Sequence, residues 1–267
     1  MWKWQAEGQA QAVIVLVHNA YEHHLRYGWQ IEQWRLAGFH VVMGDLPGHG
    51  KTRQTNKAHR EPFAVYEKAI EEMMKAAVEN NLPVFIVAHG LGATLAINYL
   101  SKSAHDVAGA IFTSPWLQLV KTPSKMSSAL SGLHKLTAQM KINHDISIEE
   151  LTRNPEIIDM EQNDELYKPV VTAKWYHELQ TYMKQTAGGK VRFPDIPTFV
   201  HTGEKDLIID KEAAKNWLKG QQLKEFSYKE WKDAYHDLFQ EPEREDIFIS
   251  THLFIKNVLR SLGYLVE

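Results

Sequence analysis

The sequence predicts an α/β fold, a mostly parallel central sheet with helices on both faces. Two observations carry this. Strand-like runs alternate with helix-length amphipathic segments, and the strongest runs are almost purely apolar, as strands buried on both faces must be. The strand candidates are residues 12–18 (AVIVLVH), 40–46 (HVVMGDL), 84–89 (VFIVAH), 108–114 (AGAIFTS), 197–203 (PTFVHTG) and 224–231 (KEFSYKEW). Helical segments such as Phe63 to Glu79 and Lys211 to Lys219 lie between them, because parallel neighbours need a crossover that returns the chain to the same end of the sheet.

One stretch departs from the alternation. From about Trp116 to Gly189 no strand is evident. Leu130, Leu133, Leu136 and Met140 mark a helical patch, followed by LTRNPEIIDM (151–160) and VVTAKWYHEL (170–179). An all-helical insertion at about 116–190 is expected to cap the C-terminal edge of the sheet, where open α/β sheets bind ligands. The part around Leu130 to Met140 would cover an apolar pocket opening onto residue 90. Residues 1–267 are expected to form a single domain carrying that cap.

Composition narrows the function. A formal charge of −3 and a scattered distribution of Lys and Arg give no electrostatic footprint for nucleic acid. The longest apolar runs are strand-sized, far short of the roughly 20 residues that span a bilayer. The first ten residues, MWKWQAEGQA, lack a signal-peptide core. The absence of cysteine excludes disulfides, thiolate metal sites and a cysteine nucleophile, and the cytoplasm is the expected compartment.

The chemistry concentrates at strand ends. The run 84–89 passes directly into a helix-forming run, 93–100, so Gly90 stands on a strand-to-helix corner. In a nucleophile elbow, G-x-S-x-G, that corner lifts a serine Oγ clear of the sheet between small residues. Ala88 and Gly92 are small, but the middle position is glycine. An ordinary glycine-rich corner is the alternative reading of these residues alone. After the first long strand comes HNAYEHHLRY (18–27), a loop able to offer a backbone N–H to an oxyanion, with the N–H of Leu91 as a second donor. After residues 197–203 comes Asp206, and after 224–231 comes His236. Elbow, then acid, then histidine is the chain order of an α/β-hydrolase triad. Gly50-Lys51-Thr52 does not close a phosphate-binding G-x-x-x-x-G-K-T loop, since Asp45 occupies the first glycine position. Asp45 to Gly50 reads instead as a tight turn beside the site. The pair His23-His24 lacks the i, i+4 spacing of a helical zinc site.

Taken together these stretches resemble the lysophospholipase and monoacylglycerol lipase branch of the α/β-hydrolases, most closely its bacillary phospholipases. They are HNAYEHHLRY (family pattern HGxxEHxxRY), GDLPGHGKT, AHGLGA (family GHSMGG), LTRNPEIIDMEQND, GEKD and AYHDLFQEPERED. The resemblance implies an α/β-hydrolase fold, Gly90 at the nucleophile position, Asp206 as acid, His236 as base, Ala20 and Leu91 as oxyanion donors, and 116–190 as a lipid-facing cap. It also implies acyl esters of glycerol or glycerophospholipid as substrates, no cofactor, no metal, and transient membrane-surface contact through the cap.

The departures matter as much. Gly90 replaces the serine, Asn19 the glycine after His18, and Ala88 and Ala93 the glycines around the elbow. Asn tolerates positive φ and alanine is small, so the latter changes are expected to leave the loops intact. Gly90 removes the acyl-enzyme route, since no Oγ remains to attack. The expectation is an ester-hydrolase framework that is inactive as it stands, the alternative being a non-catalytic protein that binds a lipid or small acyl ligand. Gly90 is either an engineered inactivation or a natural residue, and the departures at Asn19 and Ala88 favour the second. Gly90→Ser is expected to create esterase activity at a stability cost of about 1–2 kcal/mol. Ser114 and Thr94 are nearby hydroxyls placed wrongly to substitute.

Overall fold

Burial of both faces of the first long strand sets the architecture. In the computed structural model, which describes residues 1–52, 58–102, 107–123, 138–189 and 192–265, the chain begins with β1 (Trp2–Trp4) and β2 (Ala12–Val17). It continues through α1 (Gly28–Leu36), β3 (Phe39–Met43), α2 (Phe63–Val78), β4 (Val84–His89), α3 (Gly90–Lys102) and β5 (Gly109–Thr113). All six residues of β2 are buried. Ala12, Ile14 and Leu16 point to the face covered by Ile31 and Trp34 of α1, while Val13, Val15 and Val17 meet Tyr66, Ile70 and Met73 of α2 and Leu95 of α3. Each such aliphatic side chain contributes about 1.5–3 kcal/mol relative to exposure. A strand buried on both faces can afford no alternation, and its apolar run is the sequence signature of that position.

The chain then passes through β6 (Lys141–Asn143), α4 (Ile148–Leu151), α5 (Pro155–Glu161), β7 (Val170–Thr172) and α6 (Ala173–Ala187), before β8 (Thr198–Gly203), α7 (Lys211–Gly220), β9 (Phe226–Trp231) and α8 (Arg244–Ser261). The main sheet has the order β1-β3-β2-β4-β5-β8-β9. Every pairing is parallel except β1 with β3. α1 and α8 cover one face, and α2, α3 and α7 the other. The loops after β2, β4, β8 and β9 therefore converge on one sheet edge. Among the described residues no helix is long and apolar enough to cross a membrane.

Two features differ from the sequence reading. Trp2–Trp4 forms an antiparallel edge strand, too short for a periodic signal. The insertion between β5 and β8 is not all-helical, since β6 and β7 pair antiparallel, Ile142 opposite Val171. Three-residue strands carry no legible period of two, and β-branched Val170-Val171-Thr172 runs directly into the helix that follows it, which hides the boundary. Leu130, Leu133 and Leu136 lie outside the described residues; Met140 is half-exposed. The insertion is tied to the sheet edge by named bonds: Asp237 N–H donates to the Leu151 carbonyl at 2.8 Å, Thr152 Oγ1 to the Gln240 carbonyl at 3.0 Å, and Arg153 pairs with Glu241 at 2.8 Å.

Candidate active site

The corner between β4 and α3 needs glycine twice. Gly90 has φ +54°, the left-handed region that a Cβ disfavours. At Gly92 a Cβ would lie 2.6 Å from the Val17 carbonyl oxygen and press on that of His18, so the helix start can lie against the end of β2 only without a side chain. The strand-to-helix corner is thus tight, and its central residue carries no side chain.

Asp206 and His236 are brought together from the ends of β8 and β9. Asp206 Oδ1 accepts the N–H groups of Ile208 at 2.8 Å and Ile209 at 3.1 Å, leaving Oδ2 for His236 Nδ1 at 2.8 Å. Both side chains are sealed from solvent. Burial pushes the Asp206 carboxyl up, but the adjacent His236 and the two backbone donors outweigh it and hold the group below the usual carboxylate range. The imidazole tautomer follows from its other nitrogen. Trp116 Nε1, which can only donate, lies 3.1 Å from His236 Nε2. Nε2 is therefore an acceptor and Nδ1 carries the proton shared with Asp206. Ser114, held at φ +44°, donates its Oγ to the His236 carbonyl at 2.8 Å and fixes that loop from below. Neither Trp116 nor Ser114 was legible as a site residue, because their meeting with His236 spans about 120 positions.

Ala20 and Leu91 also converge, and their backbone N–H groups already have a common acceptor. Asn19 Oδ1 accepts from Ala20 N at 2.7 Å and from Leu91 N at 2.8 Å. Its Nδ2 faces His236 Nε2 at 3.3 Å. The positive φ in this loop belongs to Tyr21 (φ +71°) and not to Asn19, so what distinguishes asparagine here is its carboxamide and not its backbone tolerance. The Asn19 backbone is held in turn by His18. Leu46 N–H donates to His18 Nε2 at 2.8 Å, so His18 Nδ1–H donates to the Asn19 carbonyl at 2.6 Å. Burial lowers the pKa of His18, keeping it neutral in this role.

Aromatic side chains close over the corner. Tyr21, Trp116 and His144 meet edge to edge at centroid distances of 5.8–6.1 Å, and Tyr21 OH donates to His144 Nδ1 at 2.7 Å. Asn19, Tyr21, Trp116, His144 and His236 are all at most 2% exposed. The Thr94 hydroxyl is turned to the Trp116 carbonyl, to which it donates at 2.8 Å.

Beneath the corner lies a buried ionic cluster. Arg26 pairs with Glu22 at 3.1 Å, Glu161 at 2.6 Å and Asp237 at 3.3 Å, and Tyr27 OH donates to Glu22 at 2.8 Å. Burial raises the Glu22 carboxyl, but Arg26, His89, the Tyr27 hydroxyl and His18 together outweigh it and hold Glu22 low, whereas burial and the Glu22 charge push Asp237 well up. Glu22, His89 and Asp237 come close enough to bracket a cation, yet the Arg26 guanidinium already supplies the positive charge between the two carboxylates. His23 and His24, whose spacing does not fit a helical zinc site, are bonded separately to Asp164 at 2.6 Å and Asp45 at 2.9 Å. Asp45 also accepts the N–H groups of His24 and Lys51, so the turn of residues 45–50 is a structural clasp.

The mostly parallel sheet with helices on both faces agrees with comparisons to known proteins. Residues 8–243 match the family described as serine aminopeptidase, S33. The chain belongs to that family. It is 36% identical over 256 residues to phospholipase YtpA of Bacillus subtilis (strain 168), covering 95% of this chain and 98% of the relative. It is 21% identical over 249 residues to a monoacylglycerol lipase of Mycolicibacterium smegmatis, covering 91% and 87%. Among solved structures it resembles the monoacylglycerol lipase of Paleococcus ferrophilus, with a TM-score of 0.80, 25% identity and coverage of 97% and 100%. A soluble variant of the monoglyceride lipase of Saccharomyces cerevisiae gives a TM-score of 0.84 at 16% identity, covering 96% and 90%, a likeness of fold. The chain is a lipase- and esterase-like α/β-hydrolase.

Proposed function

We propose that this chain is an ester hydrolase of the lysophospholipase and monoacylglycerol lipase type whose acyl-transfer chemistry is silent because its nucleophile position is Gly90. Asp206 is the acid that orients His236, His236 is the base, and the N–H groups of Ala20 and Leu91 are the oxyanion donors. The segment 116–190 is the cap, and its ligands are acyl esters of glycerol or glycerophospholipid, in keeping with the phospholipase and lipases it is similar to. The observation that carries the reading is the buried His236–Asp206 pair at 2.8 Å, whose Nε2 lies 3.3 Å from the Asn19 carboxamide that fills the corner at Gly90, where no hydroxyl stands to be deprotonated. Loss of a triad nucleophile removes roughly 10⁶-fold in kcat, so hydrolysis of p-nitrophenyl butyrate and of a monoacylglycerol is expected to stay at background. A fluorophosphonate is expected to leave the mass of the protein unchanged. Turnover that is abolished by His236→Ala would overturn the proposal and require a water nucleophile.

A further inference from the structure

We propose that the Asn19 carboxamide is a tethered occupant of the oxyanion hole, an autoinhibitory plug matched to Gly90. The proposal rests on the reading of the Ala20 and Leu91 N–H groups as oxyanion donors. Three observations carry it. The Asn19 Oδ1 takes both N–H groups, at 2.7 and 2.8 Å, so no ligand carbonyl can reach them while it is there. The amide is oriented as a bound acyl substrate would be, its oxygen in the donor pair and its nitrogen 3.3 Å from His236 Nε2, on the side where a leaving group collects its proton. Finally, the plug and the glycine share one volume. A Cβ built on Gly90 overlaps Asn19 Oδ1 and Cγ and lies 2.7 Å from Nδ2.

Positions 19 and 90 are therefore one unit, a carboxamide on one loop filling the space that a missing side chain leaves on another. The expected gain of activity from Gly90→Ser alone is revised accordingly. The serine would arrive at a hole already filled, in a volume already taken. Binding of an acyl ligand at the two N–H groups and rotation of Asn19 away from them are the same event, which makes Asn19 the residue that decides whether the site is open.

The test compares wild type, Asn19→Gly, Gly90→Ser and the double variant Asn19→Gly/Gly90→Ser. Each is checked for cooperative unfolding, then assayed for p-nitrophenyl butyrate hydrolysis and for fluorophosphonate labelling by intact mass. The double variant is expected to exceed Gly90→Ser in kcat/KM by about 100-fold, the size of effect that losing an oxyanion donor produces. Gly90→Ser within about threefold of the double variant overturns the plug and leaves the esterase reading standing. If neither serine variant turns over or is labelled, the esterase reading fails. The plug is then decided by calorimetric titration of decanoate into wild type and Asn19→Gly. About tenfold tighter binding of this carboxylate to Asn19→Gly, equivalent to one good hydrogen bond, supports it, and equal affinity overturns it.

Discussion

Asn19 and Gly90 should be energetically coupled, and Gly90→Ala measures the coupling without introducing chemistry. Alanine at φ +54° costs about 1–2 kcal/mol in backbone strain. Its Cβ also crowds the Asn19 carboxamide, shifting it within the packed corner and stretching its bonds from the Ala20 and Leu91 N–H groups without freeing the hole. Overpacking of this kind costs about 1–3 kcal/mol. Gly90→Ala is thus expected to lose about 2–5 kcal/mol. Asn19→Gly alone is expected to lose about 2–3 kcal/mol, because the same two donors are orphaned but the vacated volume admits a water. In the double variant the Cβ has room, and adding alanine costs only the backbone strain, about 1–2 kcal/mol. The double variant should therefore be about 1–3 kcal/mol more stable than the sum of its parts. Urea unfolding of the four proteins at one pH measures this directly. Additivity within about 0.5 kcal/mol would refute the shared-volume argument.

Acid should destabilise the protein earlier than carboxylate titration alone would. Burial lowers His89 and His144 to about 4 and His201 to about 3, and His18 is lowered as well. Unfolded, these groups titrate near 6.5, so their contribution is complete above that pH and is lost as pH falls from about 6.5 toward the folded values, by roughly 1.4 kcal/mol per pH unit for each. Asp237, Glu161 and Glu241, pushed up by burial, work in the opposite direction, but against five histidines, since burial lowers His252 to about 4 as well. Urea midpoints at pH 7.5, 6 and 5 should fall steeply, and a flat profile would show that these histidines are not buried neutral. Arg26→Met leaves Glu22, Asp237 and Glu161 without their shared cation and is expected to cost about 3–5 kcal/mol in denaturant unfolding. A loss under about 1 kcal/mol would mean that the carboxylates take up protons at little cost.

Local chemistry made much of this protein legible from its sequence. The apolar runs at 12–18 and 84–89 could only be strands buried on both faces, and the passage of one of them into Gly90 and a helix marked the corner. The order of Gly90, Asp206 and His236 at successive strand ends placed the acid beside the histidine, because parallel strands bring the same ends to the same edge. What tertiary structure alone decided depends on contacts between residues far apart in the chain. Asn19 looked like a tolerant loop residue; that its carboxamide satisfies the Leu91 N–H 72 positions away and faces His236 217 positions away follows from two loops meeting. Trp116 on His236, and Arg26 between Glu22, Glu161 and Asp237, are of the same kind. Periodicity and turn chemistry report the path of the backbone over a few residues. Which side chain fills an empty volume is set only when the packed sheet closes its loops around it, since a buried hydrogen-bonding group must then find whatever partner the fold has brought within reach.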